Sequence, residues 1–260
     1  MMISDKAFIH PEARIGKGAT IEPFAYIAGD VLIGDGCWIG PNATVLDGAR
    51  MGKNCKVFPG AVISAIPQDM KFANEKTSTE IGDNCTFREG ATINRGTVAL
   101  GKTIMGNNCL VMANAHVAHD CVIGNNCILV NNVLLGGEVH VHDFAIMGGG
   151  SAAHQFTRVG AHAMISGGAM FKKDIPPYAL VNHNPVGFAG INKVGLRRRG
   201  FSQESIEQIE AIYKIIYFSG RNISQAVQHL KDNFEATAEL NYIIGFIEKS
   251  ERGILKSAIR

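Results

Sequence analysis

The sequence predicts a mainly β chain: a parallel β-helix of six-residue repeats over residues 1–190, with a loop inserted at 64–80, then a small α-helical domain over 191–260. Three observations predict it. An apolar residue recurs at every sixth position, a small residue follows each of these by four places, and after Ser202 the apolar spacing changes to that of a helix. Composition agrees: 30 glycines among 260 residues and only 7% aromatic residues suit repeated tight turns better than a conventional core.

The ladder steps without a miss through Ile9, Ile15, Ile21, Ile27, Ile33, Ile39, Val45, Met51, Val57 and Ile63. Neither a helix nor a simple alternating strand has this period. Each hexad therefore reads as one short strand and a corner, and stacked coils bury a column of apolar side chains. Gly34, Gly40, Gly52 and Asn54 fall just after ladder positions, where corners need permissive backbone angles. The small slot holds Ala19, Ala25, Val31, Cys37, Ala43, Ala49, Cys55 and Ala61, then Cys85, Ala91, Cys109, Ala115, Cys121 and Cys127. All six cysteines occupy it, so they read as small buried hydrophobes and not as disulfides, metal ligands or nucleophiles.

Between Ser64 and Glu80 the pattern lapses, with Asp69 and Glu75 at ladder places, and it resumes in phase at Ile81. A polar excursion that preserves register is a loop extruded from the prism, a common site of function. A weaker lapse at Thr97–Thr103 is a second loop. The ladder continues from Met105 to Phe171 and is expected to stop at Pro176-Pro177, followed by an irregular stretch from Tyr178 to Gly200 containing Arg197, Arg198 and Arg199. Ser202 is a candidate N-cap for a helix through Ile206, Ile209, Ile212, Tyr213 and Ile216, with Gly220 as its stop; two more helices are expected near 224–234 and 237–249.

The net charge of +2 gives no reason to expect nucleic-acid binding. No apolar run approaches the roughly 20 residues that span a bilayer, and Met1–His10 lacks a signal-peptide pattern, so a cytoplasmic protein is expected.

Chemistry concentrates in Val111–Cys121, where His116, His119 and Asp120 fall among ladder residues that do not require them. With three hexads per coil, residues 18 apart stack at about 4.8 Å. His119, Gly137 and Gln155 then form one column, and Asp120, Glu138 and Phe156 the next. Gly137 leaves an open rung above the imidazole. His119 as a general base is the leading assignment; His116 and His119 also qualify as metal ligands, as in the γ-class carbonic anhydrases built on a similar β-helix, or as structural residues. His10, His162 and His229 read as surface or structural histidines. Gly148-Gly149-Gly150 lies inside the repeat and is no phosphate-binding fingerprint. The arginine run suits a solvated face, a diphosphate or an acidic protein partner.

Asn-Ala-His116-Val-Ala-His119-Asp120-Cys, Gln68-Asp69-Met-Lys71, His154-Gln155-Phe156, Pro176-Pro177-Tyr178 and Arg198-Arg199-Gly200-Phe201, in this order, resemble the acyl-[acyl-carrier-protein]:UDP-N-acetylglucosamine O-acyltransferases that open lipid A biosynthesis. The likeness spans essentially the whole chain. It implies a left-handed parallel β-helix, a homotrimer with sites in clefts between prisms, acyl carrier protein and UDP-N-acetylglucosamine as substrates, and neither cofactor nor metal. His119 would be the general base, Asp120 its orienting partner and the Gly137 amide the oxyanion donor. Gln68, Asp69 and Lys71 match loop residues that hold the nucleotide sugar, while His116, Glu138, His154, Gln155, Asn192, Arg198 and Arg199 match positions lining the cleft. Gly167 matches the acyl-length ruler, and a glycine there implies myristoyl length or longer. Glu138 and Pro185 stand where familiar members carry histidines, and Val194 where they carry a ribose-contacting glutamate. Glu138, stacked on Asp120, is expected to put a second carboxylate beside the base. The related N-acyltransferases carry an additional N-terminal domain with no counterpart in a ladder beginning at Ile9.

Overall fold

A computed structural model describes residues 2–258. Strands of mostly two residues wind into three sheets of eleven, nine and eight strands, parallel except for the last strand of the first, and these form the faces of a triangular prism. This is the predicted left-handed parallel β-helix. Successive coils visit each face once, so His116 pairs with Leu134 on the nine-stranded face and Val122 with His140 on the eight-stranded face. The ladder residues point inward: Ile27, Ile39, Val45, Val57, Ile63, Val111 and Val117 have no exposed surface. Fully burying one such side chain contributes roughly 1.5–3 kcal/mol, and the repetition of that gain coil after coil holds the prism together.

All six cysteines are buried and free. Contact with the thiol of the next coil and then burial push Cys85 and Cys109 up to about 12, and burial does the same to Cys121.

The two lapses are loops between strands. Val62–Ala65 and Ser78–Ile81 bound the first, at 66–77, and Thr92–Asn94 and Lys102–Met105 bound the second, at 95–101. Val62 pairs with Thr92, and Thr92 with His116. The first loop thus lengthens its coil by two hexads and the second by one, which is why register survives both. Both leave the prism at the edge where the nine-stranded face turns into the eight-stranded one, and His119 lies on that same edge, between His116–Val117 and Val122–Ile123.

Three expectations are corrected. The ladder begins one coil edge earlier than Ile9, because Met2–Ile3 pairs with Thr20–Ile21. It also runs past Pro176-Pro177. Ile175 bridges to Val159, and Ala179–His183 joins the eleven-stranded face beside Met164–Ile165. The two prolines sit at the intervening corner, where no ladder bond needs their missing N–H. The stretch from Tyr178 to Gly200 is not irregular: Ala179–His183 and Val186–Ile191 form an antiparallel hairpin, with Pro185 in its turn, and helix α1 follows at Lys193–Arg198.

Helices α2 (Gln203–Phe218), α3 (Ile223–Asn233) and α4 (Ala238–Glu248) are N-capped by Ser202, Asn222 and Thr237, each accepting from the backbone N–H three residues on. Each cap contributes about 1 kcal/mol. The helices pack on the end of the prism. Phe188 of the hairpin stacks on Tyr217 at 4.2 Å, and the Tyr213 hydroxyl donates to the Pro177 carbonyl. Arg158 lies over the Phe246 ring. No helix among the described residues is long and apolar enough to cross a membrane.

Candidate active site

The edge that carries both loops also carries the predicted centre. Asp120 occupies the third place after a ladder residue, the corner slot filled elsewhere by Asn42, Asn54, Asn84, Asn108, Asn114, Asn126 and Asn132. All of these have φ near +57°, and Asp120 shares it at 58°. Asn and Asp tolerate this left-handed conformation best among residues with a side chain, so the repeat accepts an aspartate here at little cost.

His119 Nδ1 lies 2.8 Å from Asp120 Oδ2. The Asp120 side chain is fully buried, while 16% of the His119 side chain is exposed. The carboxylate also accepts from the Thr97 amide at 3.0 and 3.1 Å, the Thr97 hydroxyl at 2.6 Å and the Leu100 amide at 3.1 Å. With ionised Asp120 as acceptor, the hydrogen resides on Nδ1, so Nε2 presents its lone pair outward. That is the tautomer a general base needs.

Gly137 lies against the ring, as the stacking predicts. A Cβ added there would fall 2.5 Å from His119 Cε1 and 2.6 Å from Nε2, so only glycine leaves the imidazole its place. The next rung is tied in by Glu138, whose amide donates to the His119 carbonyl. The second carboxylate near the imidazole is nevertheless not Glu138. Among the described residues, those within 4 Å of its nitrogens are Asp120 and Asp69, the latter reaching to 3.9 Å from Nε2 from the first loop. Glu138 instead borders a hollow with His140, Phe156, Arg158 and Arg252.

His116 lies on the nine-stranded face, with Nδ1 2.8 Å from the Thr92 hydroxyl. Burial and then the neighbouring His119 push its pKa down. Gln68 and Lys71 are exposed beside Asp69 on the first loop, and the Lys71 amide donates to Asp69 Oδ1. His154 and Gln155 are exposed on the next rungs. These residues come together along one edge. No group of three or more His, Cys, Asp or Glu side chains converges as a metal site among the described residues.

Other predicted residues lie on different edges. Asn192 caps α1, accepting from the Gly195 amide, and its amide nitrogen donates to the His162 carbonyl. Arg199 donates to the Phe144 carbonyl and lies over that ring, on the edge between the eight- and eleven-stranded faces, while Arg198 is exposed. On this edge His162 is no plain surface residue; it stacks between Phe144 and Tyr178. Gly167 is exposed on the third edge, between Met164–Ile165 and Met170–Phe171. One prism therefore presents His119, Arg199 and Gly167 in three directions.

Sequence reasoning missed Thr97, Leu100 and Thr92. The signal was available for the first two: the second lapse adds one hexad to the coil directly below His119, on the same edge.

A hexapeptide prism with a histidine–carboxylate pair at an open edge defines a hexapeptide-repeat protein with a candidate acid–base site. A family described as bacterial transferase hexapeptide matches residues 102–137, one described as UDP-N-acetylglucosamine O-acyltransferase, domain 2, matches 174–255, and a GMPPB C-terminal domain matches 3–107. The acyl-[acyl-carrier-protein]–UDP-N-acetylglucosamine O-acyltransferase of Alkalilimnicola ehrlichii is 45% identical over 98% of this chain and 99% of its own, and that of Myxococcus xanthus is 46% identical over 75% of this chain and 76% of its own. Among solved structures, the UDP-N-acetylglucosamine acyltransferase of Bacteroides fragilis superposes with a TM-score of 0.96 at 51% identity, covering 98% of this chain and all of that one. That of Francisella novicida gives 0.96 at 38% identity, covering 99% and 95%. The chain belongs to the acyl-[acyl-carrier-protein]–UDP-N-acetylglucosamine O-acyltransferase family and is an acyltransferase.

Proposed function

We propose that the enzyme transfers an R-3-hydroxyacyl group from the thioester of acyl carrier protein to the glucosamine 3-hydroxyl of UDP-N-acetylglucosamine, the first step of lipid A biosynthesis, in the cytoplasm. His119 Nε2 takes the proton of the 3-hydroxyl as its oxygen attacks the thioester carbonyl directly. The tetrahedral oxyanion accepts from the Gly137 amide. The carbon–sulfur bond then breaks, and the departing phosphopantetheine thiolate takes the proton back from the imidazolium, whose charge Asp120 stabilises. No acyl-enzyme forms and no cofactor or metal takes part. The observation that carries this scheme is the His119–Asp120 pair, with Nδ1 anchored to a buried carboxylate and Nε2 open at the edge beside Gly137.

In the same proposal Gln68, Asp69 and Lys71 hold the nucleotide sugar, and Asp69, already 3.9 Å from Nε2, exchanges that contact for the acceptor. His116, Glu138, His154 and Gln155 line the cleft; Asn192 sets helix α1, from which Arg198 and Arg199 address phosphate or carrier protein. Because His119, Arg199 and Gly167 lie on separate edges, a complete site needs a neighbouring prism. A homotrimer supplies one, and the apolar outward residues of two faces support it: Leu134 and Met170 are 52% and 69% exposed on one, and Leu110, Ile128, Ile146 and Met164 are half-buried on the other. Gly167 leaves room for an acyl chain of myristoyl length or longer.

Mass-spectrometric detection of 3-hydroxyacyl transfer from acyl carrier protein to UDP-N-acetylglucosamine tests the proposal. Product is expected with myristoyl-length or longer donors; none with any chain length would overturn the assignment, and a clear preference for decanoyl donors would overturn the role of Gly167.

A further inference from the structure

We propose that Thr97, on the second loop, is a positioning residue that fixes the His119–Asp120 pair for proton transfer, resting on the general-base role proposed above.

The geometry is specific. Asp120 Oδ2 is shared between the Thr97 hydroxyl at 2.6 Å and His119 Nδ1 at 2.8 Å, while Oδ1 accepts from the Thr97 and Leu100 amides. The Thr97 hydroxyl itself accepts from the Ala99 amide at 3.2 Å, which directs its own hydrogen to the carboxylate. Donors on both oxygens stop the carboxylate from rotating about its Cβ–Cγ bond, and the imidazole bonded to it inherits that orientation. Thr97 is 6% exposed and its hydroxyl is engaged by Asp120 and the Ala99 amide, so it acts through Asp120 and not on the substrate.

The loop is shaped for this task. An ordinary coil would turn this edge in one hexad and leave Asp120, like Asn114 or Asn132, at a corner facing water. The additional hexad covers it instead. The Gly101 amide donates to the Thr97 carbonyl at 2.7 Å, closing a tight turn, and the Asp120 amide donates to the Thr103 hydroxyl. The first loop rests on this turn: Glu75 Oε1 accepts from the Val98 amide, Arg95 lies over the Phe72 ring, and Asn94 donates to the Ile66 carbonyl. The loop bearing Asp69 and the loop bearing Thr97 thus form one clasp around the imidazole.

The test is a double-mutant cycle of Thr97→Val and Asp120→Asn in the full-length enzyme, with kcat and KM for both substrates and the thermal midpoint of each variant. Thr97→Val is expected to lower kcat roughly tenfold to hundredfold with both KM values within about twofold of native. In the Asp120→Asn background the same change is expected to cost less than about threefold, because the group it acts through is gone. Thr97→Ser should restore kcat to within about threefold of native. Should Thr97→Val not fold, Thr97→Cys, with its weaker donor, is expected to fall between native and Asp120→Asn in kcat. Native kcat in folded Thr97→Val, full multiplication of the two losses, or equal kcat for the Ser and Cys variants would overturn the positioning role while leaving the general-base proposal standing. Native kcat in Asp120→Asn would overturn that proposal and this inference with it.

Discussion

Replacing Gly137 by alanine isolates the placement of the imidazole. The backbone of Gly137 is not in the left-handed region, so alanine is accommodated there without backbone strain. The methyl group, however, would sit 2.5 Å from His119 Cε1, against the 3.4 Å of an ordinary contact, and the ring must withdraw by about 0.9 Å. It cannot retreat along its bond to Asp120, which is already 2.8 Å long and ends on a carboxylate held by the second loop. The ring therefore turns, and Nε2 leaves its position. A displacement near 1 Å costs on the order of 100-fold in rate. Steady-state transfer kinetics should accordingly show kcat down by about two orders of magnitude, with the melting temperature within a few degrees of native. The amide N–H remains, so the loss reports on the imidazole and not on the oxyanion donor. Native kcat in a folded Gly137→Ala enzyme would refute the claim that this rung positions the base.

Other outcomes follow from the surrounding structure. The Tyr242 hydroxyl and His142 Nδ1 are hydrogen-bonded at 3.0 Å, bridging prism and α4, and burial, then Arg158 and His140, push the His142 pKa down to about 4. Its folded value lies below the unfolded one, so the unfolded chain binds more protons and stability falls as pH drops from about 6.5 to about 4. Halved for solvent screening, the loss is on the order of 1–2 kcal/mol. Denaturant titrations across this window should show it, and His142→Asn should lessen it without abolishing it, because burial pushes His162 down to about 4 as well; an unchanged slope in the variant would assign the effect elsewhere. The six thiols are buried, so native enzyme should resist alkylation by N-ethylmaleimide and retain activity until denatured. Rapid modification of the folded protein would contradict the inward placement of the small slot.

Much of this was legible because a β-helix repeats its physics. Ile9 to Ile63 step by six since each coil buries the same three columns, and that period alone placed Cys37 and its five counterparts inside. It also placed Gly137 over His119, since no insertion separates those coils. What escaped had partners that periodicity does not encode. Thr97 meets Asp120 across an extra hexad, and its role shows only once the second loop folds down over the edge. Asp69 reaches Nε2 from a loop off the repeat, which is why Glu138, one regular rung away, was expected as the second carboxylate instead. The hairpin at 179–191 was hidden by prolines that the corner and the turn accommodate. Arg199 and Gly167 share no edge with His119, a separation that sequence spacing of 18 describes only after the faces are assigned.

The most direct measurement of the central claim is transfer by His119→Ala beside the native enzyme, with the same donor, acceptor and folded-state control. A loss of roughly three orders of magnitude in kcat, with KM values nearly unchanged, is predicted for removal of the base. A variant that turns over within tenfold of native would contradict the proposed chemistry, whatever the fold and its relatives imply.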